Sequence, residues 1–259
     1  MRTTLAGLTL VCVSTILISL MFTCPSSAVD PATVAGAWLF DEGSGTTAAD
    51  ISGNGNDGEI LGEPAWVDGV FGKALEFDGV DDSINCGNDL SLDLTEEFTL
   101  MAWGRYITED SIDYMNHTGC NGYFLATWNN MINFPMQCDA ASAIGEPVND
   151  GEWHHVAGVW AEGEGSKLYY DGELHVEVPD YVPTAPFANT GNLLVGCYGN
   201  MEGEFFVGTM DEVAVFNVVL SEDDIRDIVT NGLAAALGGP TAVSPEEKLT
   251  TVWGKIKAE

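Results

Sequence analysis

The sequence predicts an all-β protein: a two-sheet antiparallel β-sandwich with short helices near the C-terminus. About a dozen short runs of apolar and β-branched residues recur roughly every ten residues, and each ends in Gly, Asn, Asp or Pro. Helix-type spacing and helix caps appear only after residue 220. A long series of strands before any helix is typical of two sheets packed face to face.

The first 28 residues have the pattern of a secretory signal peptide. Met1-Arg2 precedes an uncharged, largely apolar run at residues 5–22, and Ser26-Ser27-Ala28 provides small residues before a cleavage point after Ala28. We therefore expect a secreted, extracellular protein with no membrane attachment after cleavage. The run also reaches the lower length limit for a membrane span, so a retained anchor is the alternative.

Charge and cysteine content narrow the possible partners. The chain has 8 Lys and Arg against 40 Asp and Glu, a net charge of −32, and such a surface repels phosphate backbones. We expect no nucleic-acid binding. After signal cleavage four cysteines remain in an oxidising compartment, which allows three pairings: Cys86, Cys120, Cys138 and Cys197. Cys120–Cys138 is the most local pair, although the sequence leaves the connectivity open.

Alternation and turn residues predict the strands in chain order. Residues 34–40 form a short apolar strand, and residues 98–105 are apolar on both faces, which favours the middle of a packed sheet. Residues 106–122 are interpreted as an irregular loop. Asp171-Gly172 is the best short hairpin signal. The other predicted strands are residues 59–61, 72–79, 81–86, 123–128, 131–134, 151–160, 167–170, 173–178, 193–196 and 205–216.

Two helices are predicted after the last strand. Ser221 caps residues 222–229, which carry acidic residues in the first turn and end at Asn231-Gly232. After the Gly238-Gly239-Pro240 break, a capping box at Ser244 opens a short amphipathic helix. We therefore place one domain at residues 34–232, followed at 233–259 by a linker and this C-terminal helix.

The loop at residues 50–58 has a spacing close to that of a calcium loop. Counted from Asp50, oxygen-bearing side chains fall at positions one, three, five and seven, where Asn56 is the seventh, and Gly55 is at six. Position twelve is Leu61 and no helix flanks the loop, so an EF-hand is not expected. A calcium site would need a further carboxylate, for which Asp211 is the candidate. The alternative is a plain Gly/Asn turn.

Several segments together resemble the laminin-G-like domains of the concanavalin A-like lectin/glucanase superfamily. They include Trp38 to Glu42, the 50–58 loop, Gly72 to Gly79, Trp153 to Ala157 and Gly208 to Val213, in family order. The resemblance implies a jelly roll that binds a carbohydrate or an extracellular protein without catalysis. It also implies one structural calcium, whose ligands map onto Asp50, Asn56 and Asp211.

The acidic residues do not form a glycosidase pattern. A laminarinase-like hydrolase needs acids at alternate positions of one strand, whereas the nearest match, Glu222, Asp224 and Asp227, falls in the predicted helix. We therefore predict that the protein is not an enzyme. A laminarinase-like hydrolase and a purely structural adhesion or spacer module are the alternatives.

The predicted ligand surface lies around the long loop after residue 105. Aromatic rings can stack on sugars while amides hydrogen-bond to hydroxyls. We therefore predict stacking by Tyr114, Tyr123 and Trp128 and hydrogen bonds from Asn116 and Asn129, in a loop that a Cys120–Cys138 bridge would restrain. Ordinary packing of the rings inside the sandwich is the alternative.

Overall fold

A computed structural model of the chain describes residues 29–239, apart from 107–111, 118–121, 129–130, 135–142, 148, 184–189 and 200–203. Its described strands form two eight-stranded sheets with antiparallel pairing, which confirms the predicted sandwich. The predicted signal peptide and the predicted C-terminal helix lie outside the described residues. Within the described part, no helix is long and apolar enough to span a membrane.

The first sheet, called sheet A, has β7 and β16 at its centre. In spatial order its strands are β14 (Glu173–Pro179), β13 (Gly165–Tyr170), β12 (Trp153–Ala161), β7 (Glu97–Tyr106), β16 (Val207–Phe216), β5 (Lys73–Asp78) and β4 (Ala65–Asp68). The first strand, β1 (Val34–Trp38), pairs with the second half of β16, beside the place where β5 ends. The central position of β7 confirms the prediction drawn from its two apolar faces.

The second sheet, called sheet B, is built from shorter strands. In spatial order they are β11 (Ala143–Pro147), β10 (Met131–Phe134), β9 (Phe124–Trp128), β8 (Ile112–His117), β15 (Leu193–Val195), β6 (Ser83–Asn85), β3 (Gly58–Leu61) and β2 (Thr47–Ala48). The predicted hairpin around Asn129-Asn130 is confirmed, since Met131 pairs with Trp128.

The prediction of an irregular loop at residues 106–122 is wrong in its middle, because β8 is an interior strand of sheet B. A register shift between Asp113 and Met115 interrupts the pairing of β8 with β9. This bulge also interrupts the two-residue period by which a strand is recognised in a sequence. Three further strands, β2, β4 and β11, were not predicted.

Hydrophobic side chains form one core between the sheets and a second on the outward face of sheet A. The first includes Trp38, Phe98 and Tyr123, all fully buried. The second includes Met101, Ala214 and Phe216, which pack under α1 (Glu222–Asn231) and α2 (Leu233–Ala236). The predicted cap of α1 is confirmed, because Ser221 and Asp224 form a capping box. The packed fold continues to Ala236, beyond the predicted domain end at residue 232.

Short 3₁₀ turns complete the described structure. They are Pro31–Thr33, which leads into β1, and Leu90–Leu92, which connects β6 to β7. Leu92 is fully buried and its carbonyl faces the core, so the second turn helps to close the sandwich.

Candidate functional site

The outward face of sheet B presents a row of five side chains that carries amides and an aromatic ring. Residues opposite each other in paired strands lie on the same face. The pairings of β3, β6, β15, β8 and β9 therefore define one row, here called the outer row: Glu59, Asn85, Leu194, Asn116 and Phe124. The adjacent row points inward and is apolar: Ile60, Ile84, Val195, Met115 and Leu125.

The outer row is open at one end and covered at the other. Glu59 is exposed and Asn85 is half-buried, and the Asn85 Oδ1 accepts a hydrogen bond from the Gly87 N–H at 3.0 Å. Asn116 is fully buried and Phe124 is 6% exposed. A sugar can therefore reach Asn85 directly, whereas it reaches Asn116 only if the groups that cover this side chain move.

Tyr123 lies on the other face, inside the sandwich. Its ring is fully buried and packs 5.1 Å from the ring of Phe98 and 5.0 Å from that of His117. Its hydroxyl donates a hydrogen bond to the Leu92 carbonyl at 2.9 Å. The ring is not available to stack on a ligand, so this placement removes Tyr123 from the predicted ligand-binding set.

Several predicted residues lie partly or wholly outside the described residues. The main chain of Tyr114 lies in β8 and that of Trp128 in β9, but the description does not extend to their side chains. Asn129, Cys120 and Cys138 also fall outside it, so their assignment stays a prediction. The other two cysteines, Cys86 and Cys197, are both buried.

The Asp50 carboxylate organises the 50–58 loop through hydrogen bonds. Its Oδ1 accepts from the N–H groups of Ala37 and Ser52, at 3.1 and 2.9 Å. Its Oδ2 accepts from the Ser52 hydroxyl at 2.7 Å and from the Asn56 N–H at 2.9 Å. Four donors occupy the roughly four lone-pair positions that a carboxylate offers. The protein itself therefore already supplies what a cation would supply to Asp50.

Asn56 fastens the same loop to its neighbours. Its side-chain nitrogen donates to the Ala35 carbonyl and to the Ser91 hydroxyl, both at 2.9 Å. Its main-chain carbonyl accepts a hydrogen bond from the Trp38 indole N–H at 2.9 Å. Asn56 is 4% exposed. The loop is therefore part of the packing around β1.

Asp211 lies on the other side of β1 from Asp50. Asp50 bridges to Trp38 at one edge of β1, whereas β16, which carries Asp211, pairs with the opposite edge. One Asp211 oxygen, Oδ2, accepts from the Phe71 N–H at 3.0 Å. The other, Oδ1, is buried and has no hydrogen-bond partner. The structure thus does not gather Asp50, Asn56 and Asp211 around one point.

Two other acids accompany Asp211. Burial raises its pKa well above the ordinary value and the charges of Glu212 and Asp41 add to the effect, while hydrogen bonds from the Phe71 and Val70 N–H groups oppose it. Burial also raises the pKa of Glu212 to about 8, although the Leu233 N–H at the start of α2 donates to Glu212 Oε2 at 2.9 Å. Asp41, Asp211 and Glu212 are called the acidic cluster below. A buried carboxylate oxygen without a donor fits a cation ligand.

Two glycines leave space for carboxylates of the acidic cluster, because a side chain at either position would overlap one of them. A Cβ at Gly69 would collide with the Asp211 carboxylate, and one at Gly72 would collide with that of Asp41. The turn between β4 and β5 therefore approaches both carboxylates closely because it lacks side chains at these positions. Asp41 is further held by the Lys73 N–H, which donates to its Oδ1 at 2.7 Å.

A second acidic group lies at the turn between β5 and β6. Carboxylate oxygens of Asp78, Asp81 and Asp82 come within 4.8 Å of one another. The Asp82 oxygens accept from the Glu63 and Asp78 N–H groups at 2.8 and 2.9 Å. The buried carboxylate of this group is therefore already satisfied by the main chain, unlike Asp211 Oδ1.

The sequence matches the laminin G family described as the concanavalin A-like lectin/glucanases superfamily over residues 78–226, more than half of the chain. The chain belongs to that superfamily. A curated relative is similar to a shorter region of the chain. The sushi, von Willebrand factor type A, EGF and pentraxin domain-containing protein 1 of Rattus norvegicus is 26% identical over 119 residues. That region is 43% of this chain but 3% of the relative, so the two share one domain at most.

Solved structures place this laminin-G-like domain among known sandwiches. The binding domain of Paraclostridial Mosquitocidal Protein 1 superposes with a TM-score of 0.64 at 15% identity, over 77% of this chain and 52% of that one. Domain 4 of AbnA, a GH43 extracellular arabinanase from Geobacillus stearothermophilus in complex with arabinotriose, gives 0.59 at 19% identity, over 76% and 98%. At such identities the likeness establishes the fold alone.

The neighbours also include an enzyme. Trypanosoma rangeli sialidase in complex with sialic acid superposes with a TM-score of 0.60 at 14% identity, over 80% of this chain and 34% of the sialidase. Binding domains and glycosidases both occur in this superfamily, so membership leaves open whether this laminin-G-like domain hydrolyses a sugar.

Sequence reasoning missed three residues that the structure brings to these sites. Asn85 could have been found, because a single amide follows the core residue Ile84 in a short strand. Glu212 also had a signal, since two consecutive acids interrupt an otherwise apolar strand. The sequence carries no signal for Asp41, because only the fold brings it near Asp211, which lies 170 positions later in the chain.

Proposed function

We propose that this laminin-G-like domain is a secreted, non-catalytic module that binds a carbohydrate on the outer row of sheet B. The outer row carries the proposal, because it combines two amides with an aromatic ring on one face. Amide groups can donate to and accept from sugar hydroxyls. Asn85 is the amide that solvent reaches, whereas Phe124 would offer an apolar surface to a sugar ring only once the groups that cover it move. The likeness to a domain solved with arabinotriose makes arabino-oligosaccharides the first probe.

The distribution of acids along the outer row supports binding over hydrolysis. A glycosidase needs two carboxyl groups about 5–9.5 Å apart across the scissile bond. Glu59 is the one acid of the row, and it lies on β3, four strands from Phe124 on β9. Adjacent strands are about 4.8 Å apart, so the amide and aromatic groups have no acid pair across them within the row.

Substitution of the outer-row amides tests this proposal. We expect Asn85→Ala and Asn116→Ala each to weaken glycan binding about fivefold, since one hydrogen bond contributes about 1 kcal/mol. Isothermal titration with arabinotriose, or with the best ligand from a glycan panel, measures the change. The matched control is Asn88→Ala, an exposed amide outside the row. Unchanged affinity in both variants, with intact melting curves, would place the ligand elsewhere.

We also propose that calcium stabilises the domain by binding at the acidic cluster. Asp211, through its unpartnered Oδ1, and Asp41 would hold the ion, while Asp50 and Asn56 fasten the neighbouring loop. A bound calcium would supply positive charge where burial and like charges otherwise hold the pKa of two carboxyl groups high. Extracellular calcium modules bind with dissociation constants of about 10⁻⁴–10⁻³ M.

A further inference from the structure

Arg105 differs from the other cations of this acidic chain. Among the described residues, Lys73 Nζ lies 2.7 Å from Asp68, Lys167 Nζ lies 3.6 Å from Glu177, and Arg226 lies 2.9 Å from Glu173. Among the same described residues, no carboxylate lies within ion-pair distance of the Arg105 guanidinium. Arg105 is therefore the exception among the Lys and Arg residues that the structure describes.

Two neighbours hold the Arg105 side chain in place on the outward face of sheet A. Arg105 pairs across the strands with Trp153 on one side and Thr209 on the other. Its Nη2 donates to the Thr209 hydroxyl at 3.1 Å, and its guanidinium carbon lies 5.3 Å from the centre of the Trp153 ring. Arg105 and Trp153 are both half-buried, so both keep contact with solvent.

Within the described part of the chain, these contacts leave some N–H groups of the Arg105 guanidinium unused. A guanidinium has five N–H groups, and Thr209 takes one of them. The contact with Trp153 explains the position of the charge, since a cation over an indole ring is favourable by about 0.5–1 kcal/mol at a partly exposed site. The contact with Trp153 does not use the remaining N–H groups of the guanidinium. A guanidinium already held by two neighbours loses less side-chain entropy when it binds a ligand.

We propose that Arg105, Trp153 and Thr209 form a second sugar subsite, which binds a carboxylate-bearing sugar such as a uronic acid residue. The sugar carboxylate would accept two parallel N–H bonds from the guanidinium, the geometry for which arginine is suited. Trp153 would supply an apolar surface to the sugar ring. This subsite lies on sheet A, on the other side of the sandwich from the outer row, and does not depend on it.

The charge of the whole protein narrows the ligand further. A net charge of −32 repels an extended polyanion, whereas a single carboxylate close to Arg105 experiences mainly the local guanidinium. At about 0.15 M salt the screening length is about 8 Å, so distant acidic residues contribute little at the subsite. We therefore infer a sugar that carries one negative charge, at or near the end of a glycan.

A pair of matched disaccharides tests the subsite in the full chain. One probe carries a glucuronic acid residue and the other carries glucose in its place, and binding is measured by titration at about 0.15 M salt. We expect the acidic probe to bind about tenfold more tightly. Arg105→Gln should remove this preference, and Arg105→Lys should restore only part of it because an ammonium cannot form the bidentate pair. Trp153→Ala should weaken both probes.

Three controls make the outcome decisive. Lys167→Gln removes another cation of sheet A and should leave the preference intact, as should Asn88→Ala, which alters an exposed amide outside both sites. Melting curves exclude a folding defect in each variant. Equal affinity for the two probes, or a preference that survives Arg105→Gln, would overturn the proposal. Competition by sodium acetate at the same concentration as the acidic probe would also overturn it, because the site would then bind any carboxylate.

Discussion

Tyr123→Ala is expected to lower the free energy of unfolding by about 3–5 kcal/mol, the range for removing a large aromatic ring from a core. For a domain of this size the melting temperature should fall by roughly 6–20 °C. The ring is fully buried against Phe98 and His117, and its hydroxyl satisfies the Leu92 carbonyl. Chemical denaturation of the wild type and the variant measures the difference.

Tyr123→Phe is the matched control for this prediction. It keeps the ring and removes one hydrogen bond, so we expect a smaller loss of about 1–3 kcal/mol from the unpaired Leu92 carbonyl. If Tyr123→Ala left the unfolding curve unchanged and abolished glycan binding, Tyr123 would return to the ligand surface that the sequence predicts.

Calcium at about 10 mM is expected to stabilise the domain by about 1.4–2.7 kcal/mol, by mass action on a site of about 10⁻⁴–10⁻³ M. This corresponds to roughly 3–11 °C in melting temperature, and excess chelator should reverse it. Asp211→Asn should abolish the calcium increment. Asp50→Asn should lower the melting temperature but keep the increment, because the Asp50 oxygens are occupied by loop donors.

The pH dependence in chelator gives an independent test of the acidic cluster. Burial raises the folded-state pKa of Asp211 well above its usual value and that of Glu212 to about 8. A raised folded-state pKa contributes stability that is fully present below the unfolded-state pKa of about 4.5 and is lost as the pH rises through the folded-state value. Without calcium we therefore expect stability to fall between about pH 4.5 and pH 8, and calcium to reduce this fall.

Two outcomes would contradict the calcium proposal. One is a melting temperature that does not differ between calcium and chelator at about pH 7.5. The other is an increment that survives Asp211→Asn and disappears with Asp81→Asn, which would move the ion to the turn between β5 and β6, where three carboxylates approach one another.

The fold could be predicted where local pattern and tertiary position agree. Both faces of β7 are apolar, and the strand lies between β12 and β16 with each face covered. β8 was missed because its polar residues and its register shift hide the period of a strand. Its burial depends on strands that arrive from distant parts of the chain, and a local window cannot contain that information.

The candidate sites were predictable only in part, for the same physical reason. Asp50 and Asn56 have the spacing of a calcium loop, yet the same spacing also lets side chains hold a turn through main-chain N–H groups. Which of these occurs depends on Ala35, Ala37 and Ser91, whose positions the loop sequence does not encode. Tyr123 likewise is a core residue because the chain enters β9 directly after it, and the pairing of β9 with β8 directs its ring between the two sheets.

The proposed function requires that this laminin-G-like domain binds a carbohydrate and does not cleave it. The most direct test incubates the full chain with a polysaccharide and oligosaccharide panel and records, on the same samples, bound glycan and released reducing ends. We expect saturable binding to at least one glycan, weakened by Asn85→Ala, with no reducing ends above the protein-free control. Release of reducing ends by the wild type, or saturable binding to none of the glycans, would contradict it.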